Sequence, residues 1–144
     1  HGAFYNTACV TPALADAVLD GLQAVNPNIA AMVLSGSYIA KEAERRGIPV
    51  IQEVFADRGY TDEGTLVPRT EPGAFIKDPQ EALERVLMMV TEGKVVTNTG
   101  NTIDIVADPV YVRGDNPEAI AFTNYIPEGL TIAGVTVANF QNRK

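Results

Sequence analysis

Short apolar runs alternate with helical patterns along the chain, and punctuating residues separate them. His1 to Tyr5 reads as a strand. Thr11-Pro12 supplies an N-cap and first-turn pair, after which Leu14, Val18, Leu22 and Val25 recur at helical spacing. Ala31 to Leu34 reads as a short buried strand. Ser37 starts a second helix, which Gly47 stops after Arg45 and Arg46. Pro49 to Phe55 is β-rich and apolar apart from Gln52 and Glu53. Residues 57–78 carry Gly59, Gly64, Pro68, Pro72 and Gly73 without a clear period and predict a long loop. Long loops in compact domains are uncommon and are often functional.

Asp78-Pro79 caps another helix, with Ala82, Val86, Met89 and Val90 on one face and Gly93 at its end. Lys94 to Thr97 and Ile103 to Val106 are β-like, with Gly100-Asn101 turning between them, and Val110 to Val112 is a further strand. Asn116-Pro117 opens a last helix through about Tyr125, and Thr131 to Val137 reads as a closing strand or a poorly formed tail. Strands alternating with amphipathic helices predict an α/β protein with a parallel sheet and helical crossovers. The pattern alone leaves a barrel and an open doubly wound sheet equally possible.

Bulk properties narrow the class of protein. With 144 residues, 46% of them hydrophobic and 20% charged, the chain is long enough for a real core and ordinary in composition. The net charge of -7 argues against a nucleic-acid surface, which needs a basic field. The single cysteine, Cys9, precludes a disulfide within the chain and favours a reducing cytoplasm. No apolar run approaches the roughly 20 residues of a membrane helix, and the opening residues do not read as a signal peptide. Because the sequence starts at His1 inside an expected strand, the expectation is a single domain segment, 1–144, lacking its N-terminal part.

Candidate chemistry gathers just after the strands, where α/β folds build their sites. Those ends offer His1 with Asn6, Ser35, Glu53 with Asp57-Arg58, and Arg113-Gly114-Asp115. The densest cluster runs from Glu53 to Tyr60 and holds two acids, a guanidinium and a phenol, with Arg69 in the following loop. Plainer readings stand beside each. Asp57-Arg58 reads first as a loop ion pair, Asp115 as a helix cap, Tyr60 and Tyr111 as packing, and Cys9 as a small apolar residue. There is no Gly-rich phosphate loop, no GxSxG elbow, and too few histidines for a multi-histidine zinc site.

His1-Gly-Ala-Phe-Tyr-Asn6 resembles the KPHGALYN motif of the LamB/YcsF family, cut before its histidine. Glu53-Val-Phe-Ala-Asp-Arg-Gly-Tyr60 is similar to that family's EVFADRxY motif, and Gly64 to Arg69 to its following G-x-L-V-P-R. Pro72-Gly73-Ala74 agrees in order and spacing, and the resemblance weakens after about Phe122. It implies the C-terminal portion of a β/α barrel resembling the polysaccharide deacetylase-like barrel. It also implies a subunit that works with 5-oxoprolinase subunits B and C. The activity so implied opens the lactam 5-oxo-L-proline to L-glutamate at the expense of ATP, with Mg²⁺ as its companion ion.

Residue type and motif position nominate Asp57, Glu53 or His1 as the catalytic base, with Arg58, Arg69, Asn6, Tyr60 and Asp115 around the substrate. The resemblance identifies no bound metal and leaves a homo-oligomer open. The chain departs from the family at Arg113, which stands where a histidine usually precedes Gly-Asp. A guanidinium stays protonated and cannot replace an imidazole as ligand or proton carrier. Two other functions remain: a metal-dependent deacetylase-like C–N hydrolase built on His1 and upstream acids, and a non-catalytic assembly subunit.

Overall fold

The computed structural model describes residues 2–112, 114 and 119–138. The first element is a helix, α1, Ala3–Val10. The expected strand from His1 to Tyr5 is therefore corrected, with His1 itself outside the described residues. Tyr5, Ala8 and Cys9 face inward at helical spacing and pack on later helices. Thr11 ends α1 and begins α2, Pro12–Val25. A residue before proline is pushed out of the helical region, and Thr11 is extended at φ -106° and ψ 106°. The two helices meet at 107°. The buried stripe of α2 is centred on Ala15 and Leu19, with Leu14, Val18 and Leu22 at its edge. Val25, expected within the stripe, is 80% exposed.

Among the described residues, three strands form the main sheet in the order β1 (Ala31–Leu34), β2 (Val50–Phe55), β5 (Val110–Tyr111), all parallel. Leu34 pairs with Glu53, and Phe55 with Tyr111, so β2 is central. Between β1 and β2 runs α3, Tyr38–Arg45. The Ser37 hydroxyl caps it by accepting from the Ala40 amide, and Gly47 leaves it at φ 70°. Helix α3 packs on α2 and on the sheet through Ile39, Ala40 and Ala43.

Helix α4, Pro79–Glu92, is framed as expected by Asp78, which accepts from the Gln80 amide, and by Gly93 in the left-handed region. The next two β segments are short: β3, Lys94–Val96, and β4, Thr102–Asp104. They pair antiparallel as a separate hairpin and do not join the parallel sheet.

Helix α5, Ala119–Ile132, continues through Pro127 well beyond Tyr125, and its expected start at Asn116-Pro117 lies outside the described residues. Phe122, Ile126 and Leu130 keep the helical period against α4 and bury there, which outweighs the bond lost at proline. The expected closing strand from Thr131 to Val137 is thereby corrected. Thr131 and Ile132 finish α5, a turn follows at Gly134 (φ 80°), and residues 135–138 form no strand.

Candidate functional site

The residues after β2 make a closed loop above its C-terminal end. The Asp57 carbonyl accepts from the Ile76 amide at 3.0 Å, and the Gly59 amide donates to the Ala74 carbonyl at 3.1 Å. Isolated bridges join Arg58 to Phe75 and Tyr60 to Leu66. Loop 57–78 thus lacks helix and strand, as expected, yet its backbone is tightly bonded. Its far side is tied to the hairpin: the Asp62 carboxylate accepts from Thr97, from Thr99 at 2.7 Å and from Asn101 at 3.0 Å. Those donors hold the Asp62 carboxyl below the usual carboxylate range.

Glu53 and Asp57 are both buried, at 3% and 0% exposure. The Tyr5 hydroxyl donates to Glu53 Oε1 at 2.7 Å, bringing α1 onto the strand end. Burial first, then that bond to Glu53, push the Tyr5 phenol above its ordinary range, so it stays a proton donor. Tyr60 is fully buried, and its hydroxyl oxygen accepts from the Phe55 amide at 3.0 Å. Burial also raises the Tyr60 phenol. Cys9 is buried nearby, its thiol pushed up to about 11 mainly by burial, which fits a packing residue better than a nucleophile.

The guanidinium of Arg58 faces the loop's own backbone. Nε donates to the Ala74 carbonyl at 2.8 Å and Nη2 to the Val67 carbonyl at 2.6 Å, while the group lies 5.0 Å over the Phe75 ring. Arg58 therefore shapes the loop. Arg69 is exposed on the same loop, in the stretch after Val67. Asn6 is exposed on α1 and donates to the Gly2 carbonyl at 3.4 Å. Ser35 is engaged structurally, accepting from the Val106 amide at 2.7 Å and donating to Gln52 Oε1 at 3.4 Å. His1, Arg113 and Asp115 lie outside the described residues.

The structure thus gathers Glu53, Asp57, Arg58 and Tyr60 at one strand end and leaves Asn6 and Arg69 at the surface. Sequence reasoning missed Tyr5 because it placed that residue in a strand. It also missed Arg85 of α4, which donates to the carbonyls of Val96 at 3.1 Å and Arg58 at 3.4 Å beneath the loop. A basic residue within the apolar period of α4 was the available signal. Among the described residues no group of three histidine, cysteine or acidic side chains is placed to hold a metal ion. No single helix among them is long and apolar enough to cross a membrane. Chemically, a buried carboxylate with a phenol donor beside it is equipped to take up and return protons away from bulk water.

Buried acids at the end of a central parallel strand, roofed by a bonded loop, define an α/β protein with a strand-end polar site. The LamB/YcsF family pattern matches residues 1–144, and the chain belongs to that family. Over 137 residues it is 54% identical to a Fusobacterium nucleatum protein named as the A subunit of 5-oxoprolinase, covering 95% of this chain and 53% of that protein. A Brevibacillus brevis protein of the same name is 43% identical, with 96% and 54% covered. Among solved structures, a lactam utilization protein from Thermus thermophilus superposes with a TM-score of 0.81 at 37% identity. That match covers 95% of this chain and 54% of the Thermus protein. The chain spans about half the length of the relatives it matches.

Proposed function

We propose that this chain is part of the A subunit of an ATP-dependent 5-oxoprolinase and supplies the carboxylates at its reacting centre. The observation that carries the reading is the burial of the two motif acids, Glu53 and Asp57, at the C-terminal end of β2. The name shared by relatives such as the Fusobacterium protein supports it. On this reading the segment is the C-terminal portion of a β/α barrel resembling the polysaccharide deacetylase-like barrel. The remainder comes from chain beyond these residues, the partners are subunits B and C, and the setting is the cytoplasm.

The substrate's lactam is a resonance-stabilised amide and a poor electrophile. ATP, with Mg²⁺, supplies activation by transferring its terminal phosphoryl group to the amide oxygen. In the net reaction, 5-oxo-L-proline, ATP and two waters become L-glutamate, ADP and phosphate. The residues' share is proton transfer and charge binding. Asp57 takes the proton of the attacking water, and that proton passes through the Glu53 carboxylate to the ring nitrogen as its C–N bond breaks.

Two donors of Arg58 are engaged with Val67 and Ala74, and Arg69, exposed on the same loop, is assigned to the substrate carboxylate or a phosphate. Arg58 and Tyr60 keep the loop in place around the substrate, and His1, Asn6 and Asp115 complete the proposed set.

The test is 5-oxoproline-dependent ADP release by the full-length protein, with and without subunits B and C. Release that requires lactam and partners together is the expected result. No release with the partners demonstrably bound overturns the reading.

A further inference from the structure

We propose that Tyr5 is a positioning residue for Glu53, fixing the carboxylate in the orientation it needs for proton transfer; this rests on the oxoprolinase reading above. The contact is a 2.7 Å hydrogen bond between residues 48 positions apart, from a helix to the central strand. A charge-assisted bond to a carboxylate is among the stronger ones a protein makes.

The geometry is held from both sides. Glu53 sits on β2, clamped between β1 and β5. Tyr5 sits on α1, whose inward side, Ala8 and Cys9, is buried against its neighbours. An apolar cleft of about 150 Å³, with Phe4, Tyr5, Cys9, Met32 and Ile39 among its walls, borders the phenol. In such surroundings the hydroxyl stays protonated and points its hydrogen at the acid. The carboxylate is thus steered by a group on a packed helix, the arrangement that a reacting side chain requires if it is not to lose time in unproductive rotamers.

The experiment uses the full-length protein with subunits B and C and the ADP-release assay. Tyr5→Phe removes one oxygen and keeps the ring. The expected result is a fall of about ten- to a hundredfold in kcat, with KM for 5-oxoproline and the melting midpoint unchanged. In the Glu53→Gln background Tyr5→Phe produces no further loss if the hydroxyl acts through the carboxylate. Wild-type protein without lactam-dependent release overturns the functional reading and this inference with it. Active wild type with Tyr5→Phe unchanged, with the loss confined to KM, or with multiplying effects of the two substitutions, overturns the inference alone.

Discussion

Gly59 lies against the backbone of Gly73 so closely that a Cβ at position 59 would stand 2.0 Å from the Gly73 carbonyl oxygen. The obstacle is backbone, and it cannot swing aside as a side-chain tip would. The loop's outgoing and returning limbs cross at this point, two residues beyond Asp57. Gly59→Ala is therefore expected to lower stability by about 1–3 kcal/mol or more, measured by denaturant unfolding of the full-length protein. Lactam-dependent ADP release falls with it, since the crossing sets the path of the chain out of β2. An alanine variant as stable as the parent would show that the loop can part here without cost.

Arg58→Lys is expected to behave as a loss of the loop clamp. A lysine offers one ammonium in place of the planar fork that reaches both Val67 and Ala74. The Ala74 carbonyl keeps the Gly59 amide, so the cost, about 1–3 kcal/mol, falls where Val67 loses its guanidinium donor. Limited proteolysis within 59–75 should accelerate in the variant, and native-like resistance would count against the clamp.

Asp57→Asn keeps the size of a fully buried side chain while removing its basicity. Turnover in the assembled enzyme is expected to drop by about a hundred- to ten-thousandfold, with the far-ultraviolet circular dichroism spectrum unchanged. Turnover near the parent's value would exclude Asp57 as the base.

A charged cluster on α3 gives stability its own pH dependence. Glu42 accepts from Arg45 at 2.6 and 2.7 Å and from Arg46 at 2.7 Å, and Arg46 also reaches Asp16 and Asp20 of α2. These bonds, Arg45 first, hold the Glu42 carboxyl down from an ordinary 4.5 to about 2. A depressed folded-state value stabilises the fold above the unfolded value and loses that contribution as pH falls. Glu42→Gln should therefore melt lower than the parent at pH 7, and the gap should close between pH 4.5 and about 2. A gap that stays constant across that window would mean the carboxylate charge is immaterial.

What the sequence disclosed about the fold was mainly local. Asp78-Pro79 and Gly93 delimit α4 because capping is settled within a turn of the chain. Ala31 to Leu34 is the strand expected, since a short apolar run between polar turns has few other uses. The failures involve distant partners. Whether Phe4-Tyr5 extends or coils depends on α2 and α3, and the continuation of α5 past Pro127 depends on α4. The site divides the same way. Glu53 and Asp57 were legible because their motif sits at a strand end. The engagement of Arg58 with Val67 and Ala74 was not, because residue types in a loop do not reveal its backbone path.

Thr11 closes one helix and opens the next with no spacer between them. Such an elbow has no slack. Proline at position 12 fixes the second arm, and Ala15 and Leu19 bolt that arm to the rest of the domain. Tyr5 is carried on the first arm, so the aim of its hydroxyl is inherited from the seating of α2. A substitution that loosens Leu19 would be felt at the phenol as a change of bearing.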